Sequence, residues 1–111
     1  MVLFFLVLNK EEYLKEILEA FIELDIRGAT IIDSVGMGRI LTYEIPIFAG
    51  LRELLPGSRP FNKTIFSLIN ENKIKPLTQA IEQIIGSLDE PGNGIVFTIR
   101  VDNVKGLAKE I

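Results

Sequence analysis

Residues 2–8, Val-Leu-Phe-Phe-Leu-Val-Leu, hold no polar position, so both sides of this segment must be kept from water and it reads as a buried strand. From residue 10 to 24 the pattern changes. Leu14, Ile17, Leu18 and Phe21 recur at spacings of three and four, with Glu12, Lys15, Glu16, Glu19 and Glu23 opposite them. That is an amphipathic helix, and Glu11 and Lys15 stand in the favourable i, i+4 order for an ion pair along it. Arg27-Gly28 turns the chain into a β-branched strand over 29–35, and residues 61–70 alternate as another. Pro76, suited to the first turn of a helix, opens a second amphipathic stretch in which Leu77, Ala80, Ile81, Ile84, Ile85 and Leu88 form the apolar stripe. Residues 89–94 break it. The last strand, 95–101, alternates strictly, with Ile95, Phe97, Ile99 and Val101 on one side and Val96, Thr98 and Arg100 on the other. The tail, 102–111, contains Lys105-Gly106 and leaves room for a short final element.

The order strand, helix, strand, strand, helix, strand predicts a single domain over 1–111. Its fold class is α+β, a ferredoxin-like βαββαβ arrangement with a four-stranded antiparallel sheet and both helices on one face. The first strand is apolar on both parities. The third carries Ile65 and Ile69 on one parity and Phe66 and Leu68 on the other, whereas the second and fourth each offer a more polar side. Strands of the first kind belong in the middle, which gives the spatial order 4-1-3-2.

Two helices cover one face of such a sheet. The other still shows either Leu3, Phe5 and Val7 or the even-numbered set of the first strand, together with two large residues of the third. Five such side chains, at about 1.5 to 3 kcal/mol each when buried, are worth about 10 kcal/mol, comparable to the whole stability of a small domain. Left bare, they invite association. Cover by a closed homo-oligomer is therefore expected, ahead of cover by the long connection, because Glu44, Arg52, Glu53 and Arg59 within it resist burial.

That connection, 36–60, separates the second and third strands, where interior loops usually run to about 4 to 6 residues. It opens with Gly36-Met37-Gly38-Arg39 and continues through Tyr43, Ile45, Ile47, Phe48, Leu51, Leu54 and Leu55, too apolar for a solvated linker. Phe48, Leu51, Leu54 and Leu55 share a face if residues 48–55 form two helical turns. Tyr43, Ile45, Phe48 and Leu51 are candidates to anchor a partner protein, packing within the oligomer being the alternative. Gly36-Met37-Gly38 reads either as a backbone nest for an anion or as a turn that needs positive φ.

Composition narrows the chemistry. Cysteine and histidine are both absent, which removes disulfides, thiol chemistry, histidine general bases and the commonest transition-metal ligands. No carboxylate or lysine spacing singles out a catalytic pair, and Asp89 and Glu90 read as a solvated helix end rather than a metal site. The expectation is a protein that is not an enzyme and has no metal site. With net charge −3 there is no excess positive field for nucleic acid. The run 2–8 is far short of the roughly 20 residues that span a bilayer, and no basic leader precedes it. A soluble cytoplasmic protein without membrane insertion is expected.

The order of elements, Gly-x-Gly-Arg directly after the second strand, the long third connection and Gly-x-Gly just before the last strand together resemble the PII-type nitrogen regulatory proteins. The resemblance covers nearly the whole chain and is strongest over 27–39 and 92–101; Val101-Asp102-Asn103-Val104-Lys105-Gly106 also looks like the segment after that family's last strand. It implies a homotrimer whose sheets pack together, with adenine nucleotide and sometimes 2-oxoglutarate bound between subunits. Residues 36–60 would be an effector loop that docks on an enzyme, transporter or regulator. By the same resemblance Thr30, Gly36, Met37, Gly38 and Arg39, with Gly92, Asn93 and Gly94, would contact the nucleotide.

The chain departs from the family's pattern at named places. Met37 stands for a usual aromatic, Ile95 for the phosphate-binding lysine, and Ile40 for a glutamine that helps hold 2-oxoglutarate and metal. Two basic residues fall near Gly106 and Ala108, with Lys105 and Lys109 adjacent, and Tyr43 is not a clear equivalent of the uridylylated tyrosine. A triphosphate needs several convergent cations or amides to replace its water. These departures therefore predict weak nucleotide binding, a less charged ligand such as AMP, or none. Two other readings compete: a trimer similar to the CutA-type divalent-cation tolerance proteins, and a structural interaction module that needs no ligand.

Overall fold

The computed structural model describes residues 1–41 and 61–107. Four strands, β1 (Val2–Leu8), β2 (Thr30–Val35), β3 (Phe61–Ile69) and β4 (Gly94–Arg100), form one antiparallel sheet in the order β2-β3-β1-β4. This is the expected 4-1-3-2 read from the other edge. Helices α1 (Leu14–Glu23) and α3 (Ile74–Ile85) follow β1 and β3, each after one turn of 3-10 helix, and a single helical turn α2 (Met37–Arg39) follows β2. The element order is the one the periodicity predicts. The two apolar turns expected over 48–55 lie outside the described residues, as does the end of the tail.

Strand pleating sends alternate residues to opposite faces, and β1 divides cleanly. Val2, Phe4, Leu6 and Leu8 are buried, and with Ile65 and Ile69 of β3 they meet Ile17 and Phe21 of α1 and Leu77, Ile81 and Ile85 of α3 in one core. Phe4 and Phe21 pack edge to face, 6.4 Å between ring centres, a favoured arrangement for aromatic quadrupoles.

Each long helix ends on a lysine from the other half of the chain. Lys73 Nζ donates to the Leu24 carbonyl at 2.7 Å and Lys10 Nζ to the Ile85 carbonyl at 2.8 Å. A cation is favourable there because the last carbonyls have no partners within the helix. At the end of α1, Ile26 N–H donates to the Phe21 carbonyl and Asp25 N–H to the Ile22 carbonyl, a Schellman closure that puts Asp25 at φ 62.

Three local expectations shift. Helix α3 starts at Ile74 rather than at Pro76; the proline sits inside the first turn, where its missing N–H has no helical partner to lose. Glu11 lies in the 3-10 turn before α1, and its carboxylate faces Lys63 at 3.9 Å instead of pairing with Lys15. Leu88 falls beyond the helix end but still packs against the core.

Candidate functional site

The sheet face away from the helices is built from the odd residues of β1 and their cross-strand neighbours. Leu3, Phe5 and Val7 pair with Leu68, Phe66 and Thr64 on one side and with Ile99, Phe97 and Ile95 on the other. The rings of Phe5 and Phe97 stack at 4.6 Å with 11° between planes, and Phe66 lies 5.7 Å from Phe5 on the other flank. Three apolar positions on β1 and two, Phe66 and Leu68, on β3 were anticipated as a pair of rows; β4 adds a third. Its apolar side faces outward here, with Ile95, Phe97 and Ile99 60%, 44% and 50% exposed, while Thr98 and Arg100 take the helix side. Val96, on the same side as Thr98 and Arg100, packs against the helix-side core. No helix or strand among the described residues crosses this face.

Where β1 begins and β3 and β4 end, a groove of about 1030 Å³ opens between the sheet and the tail. Leu3, Phe66 and Leu68 line it together with Thr30, Lys73 and Lys105. Lys73 is committed to the Leu24 carbonyl, and Arg27, also on the rim, pairs with Asp25 at 3.1 Å. Of the residues singled out in the sequence, Thr30 and Lys105 come together here.

The other candidates lie at the opposite end of the sheet. Gly36 caps α2 with φ −74, so the positive φ expected for this turn is absent. A Cβ on Gly36 would meet nothing closer than Asn62 Nδ2 at 3.8 Å. Met37, at 73%, and Ile40 are exposed, as are Val35 and Phe61, the cross-strand pair that closes this end of β2 and β3.

Beneath them runs a polar network that sequence reading did not find. Ser34 Oγ donates to Asn62 Oδ1 and lies 2.8 Å from Thr64 Oγ1, and Asn62 Nδ2 donates to Asn9 Oδ1 at 3.5 Å. Asn62 is buried. These bonds fix the root of the long connection to both central strands. The signal was present as polar residues at 62 and 64, on the same parity as the apolar Phe66 and Leu68, but only the register places Ser34 opposite Asn62.

Gly92, Asn93 and Gly94 form the turn into β4. Asn93 is buried, and its Nδ2 donates to the Ser87 carbonyl at 2.7 Å. Gly94 has φ 144, and a Cβ there would stand 2.7 Å from the Val7 carbonyl oxygen, so this glycine is required by the β1–β4 approach. Glu82 Oε2 accepts from Leu88 N–H at 2.9 Å and steadies the same loop. Asn93 therefore serves the turn itself, and Ile95 follows on the apolar face.

Within one chain these candidates do not converge. Gly36–Arg39 and Gly92–Gly94 share an end of the sheet but sit beyond opposite edge strands, three strand spacings or about 14 Å apart. Thr30 is five residues from Val35 along β2, about 17 Å away. The partner-anchor candidates Tyr43, Ile45, Phe48 and Leu51 lie outside the described residues. Among the described residues no cluster of three or more acidic side chains is placed to hold a metal ion, and no helix is long and apolar enough to cross a membrane. No protein-family model matches the sequence, and no curated protein matches it.

Proposed function

We propose that this chain is the subunit of a small regulatory homotrimer of the kind the PII-type resemblance implies. It holds a metabolite, an adenine nucleotide or a similar ligand, in clefts between subunits and acts on a partner protein through residues 36–60. It works in the cytoplasm as a regulator rather than as an enzyme, with nitrogen metabolism the setting that the resemblance suggests. One observation carries this reading. The apolar sheet face, half-buried along β1 and β3 and exposed along β4, calls for a second surface, and the candidate contacts, separated between the two ends of one sheet, need a second copy to become a cleft. Burying such a face between copies gives a hydrophobic interface of the obligate type.

The ligand side of the proposal is set by charge. Ile95 supplies no cation, Asn93 spends its amide on the Ser87 carbonyl, and Lys73 spends its ammonium on a helix end. Backbone amides and few free cations suit one phosphate better than three. Isothermal titration of the assembled protein with ATP, ADP, AMP and cyclic AMP tests this: the monophosphates are expected to bind at least as well as ATP. Silence for all four on an intact trimer removes the sensing role. The internally satisfied turn at 92–94 favours, in that event, an interaction module that needs no ligand. Limited proteolysis would then find residues 40–59 equally resistant with and without a partner.

A further inference from the structure

Of the six asparagines in the chain, only Asn93 precedes a glycine, and an Asn-Gly step is open to a reaction that needs no enzyme. The Gly94 amide nitrogen attacks Asn93 Cγ, the Cγ–Nδ2 bond breaks, and ammonia leaves with the proton from that nitrogen. Water then opens the resulting succinimide at either carbonyl, giving aspartate or isoaspartate, with no change of oxidation state. Glycine favours the first step because it has no side chain to hinder the attacking nitrogen and leaves the backbone free to rotate.

The native turn blocks both partners of that step. Asn93 is 6% exposed, with its Nδ2 held 2.7 Å from the Ser87 carbonyl oxygen. A Cβ on Gly86 would stand 3.0 Å from the same nitrogen, so the glycine at 86 leaves the space in which the amide reaches Ser87. Gly94 is fixed from the other side: it pairs with Leu8 in the sheet, and its α-carbon is packed against the Val7 carbonyl. Ring closure requires the side chain to leave Ser87 and the backbone to leave β1.

We propose that Asn93-Gly94 is a self-modifying site which folding protects and unfolding releases, and that its products do not return to the native turn. An aspartate at 93 would set a carboxylate oxygen against the Ser87 carbonyl, two acceptors facing each other in a buried place. An isoaspartate would lengthen the main chain by one carbon where Gly94 has no slack against Val7. The site thus acts as a one-way marker of the time a molecule has spent unfolded, and it stands independently of any ligand or partner.

The test uses the full chain, incubated in mildly alkaline buffer with and without urea and followed by intact mass and peptide mapping at residue 93. Conversion in buffer alone is expected to be slower by about tenfold or more, the ratio that an opening cost of about 1.4 kcal/mol gives; a smaller ratio overturns the protection. The urea sample is then diluted to refold. The native fraction is expected to be depleted in converted molecules relative to the input, and equal proportions overturn the one-way character. N93D is expected to melt below the parent protein. If N93D does not fold, the rate ratio and the depletion on the parent chain still decide.

Discussion

Phe4 and Phe5 are neighbours on β1, yet one is fully buried beneath α1 and α3 and the other lies half-covered in a row of exposed apolar residues. The difference between the two faces of this sheet is not one of composition, since both are dominated by large apolar side chains. It is one of supply: the described residues form two long helices, and both pack on the same side. A strand that is apolar on both parities specifies two hydrophobic layers, and among the described residues helices cover only one. The proposed trimer assigns the second layer to contact between copies.

Substitutions at these two positions should separate internal packing from association. Phe4→Ala removes a core ring and is expected to lower stability by about 3 to 5 kcal/mol at every protein concentration, read from urea unfolding. Phe5→Ala is expected to cost about 1 kcal/mol in the isolated subunit, with a larger loss at high concentration, where assembly adds stability. Equal, concentration-independent losses at both positions would break the contrast.

The two glycine-bearing segments at one end of the sheet differ in the same spirit, one tightly packed and one open. Gly94→Ala is expected to destabilise by about 2 kcal/mol or more, since it combines a close backbone approach with a left-handed φ. Gly36→Ala should change stability by no more than about 0.5 kcal/mol, its φ being ordinary and its surroundings open. A change smaller than that of Gly94→Ala is expected on the helix side. Asp25→Gly relieves the positive φ at the end of α1 and should raise stability by about 1 kcal/mol, the exposed Arg27 pair that it loses contributing little.

The smallest effect concerns Lys63. Its hydrogen bond to Asp33 holds the ammonium above the ordinary value of 10.5. A raised lysine contributes stability that is complete below that value and lost as pH rises through the folded-state value. Lys63→Met is therefore expected to be less stable than the parent at neutral pH, and the gap should close in strongly alkaline urea titrations.

The long helices and all four strands were legible because their patterns are local: a period of two or of 3.6 needs no knowledge of the partner. The central place of β1 and β3 followed from their two-sided apolar character. The facing of β4 was not legible, because Ile95, Phe97 and Ile99 look like a core row until the register pairs them with Val7, Phe5 and Leu3 on the face away from the helices. Register hid the Ser34, Asn62 and Thr64 network, whose members lie far apart in sequence. At Gly36 and Gly94 the same residue type conceals opposite needs, since a close contact with Val7 is visible only in three dimensions. For the candidate site, the family resemblance named residues and the strand bounds already set Thr30 and Gly36–Arg39 apart, but neither could tell that the Asn93 amide is engaged by the Ser87 carbonyl within its own turn.

Sedimentation velocity of the unmodified chain over the micromolar range tests most directly whether the second hydrophobic layer is shared between copies. A closed trimer is predicted, dissociating when Phe97→Asp places a charge in the stacked row. A parent chain that sediments as a single monomeric species at every concentration would contradict it.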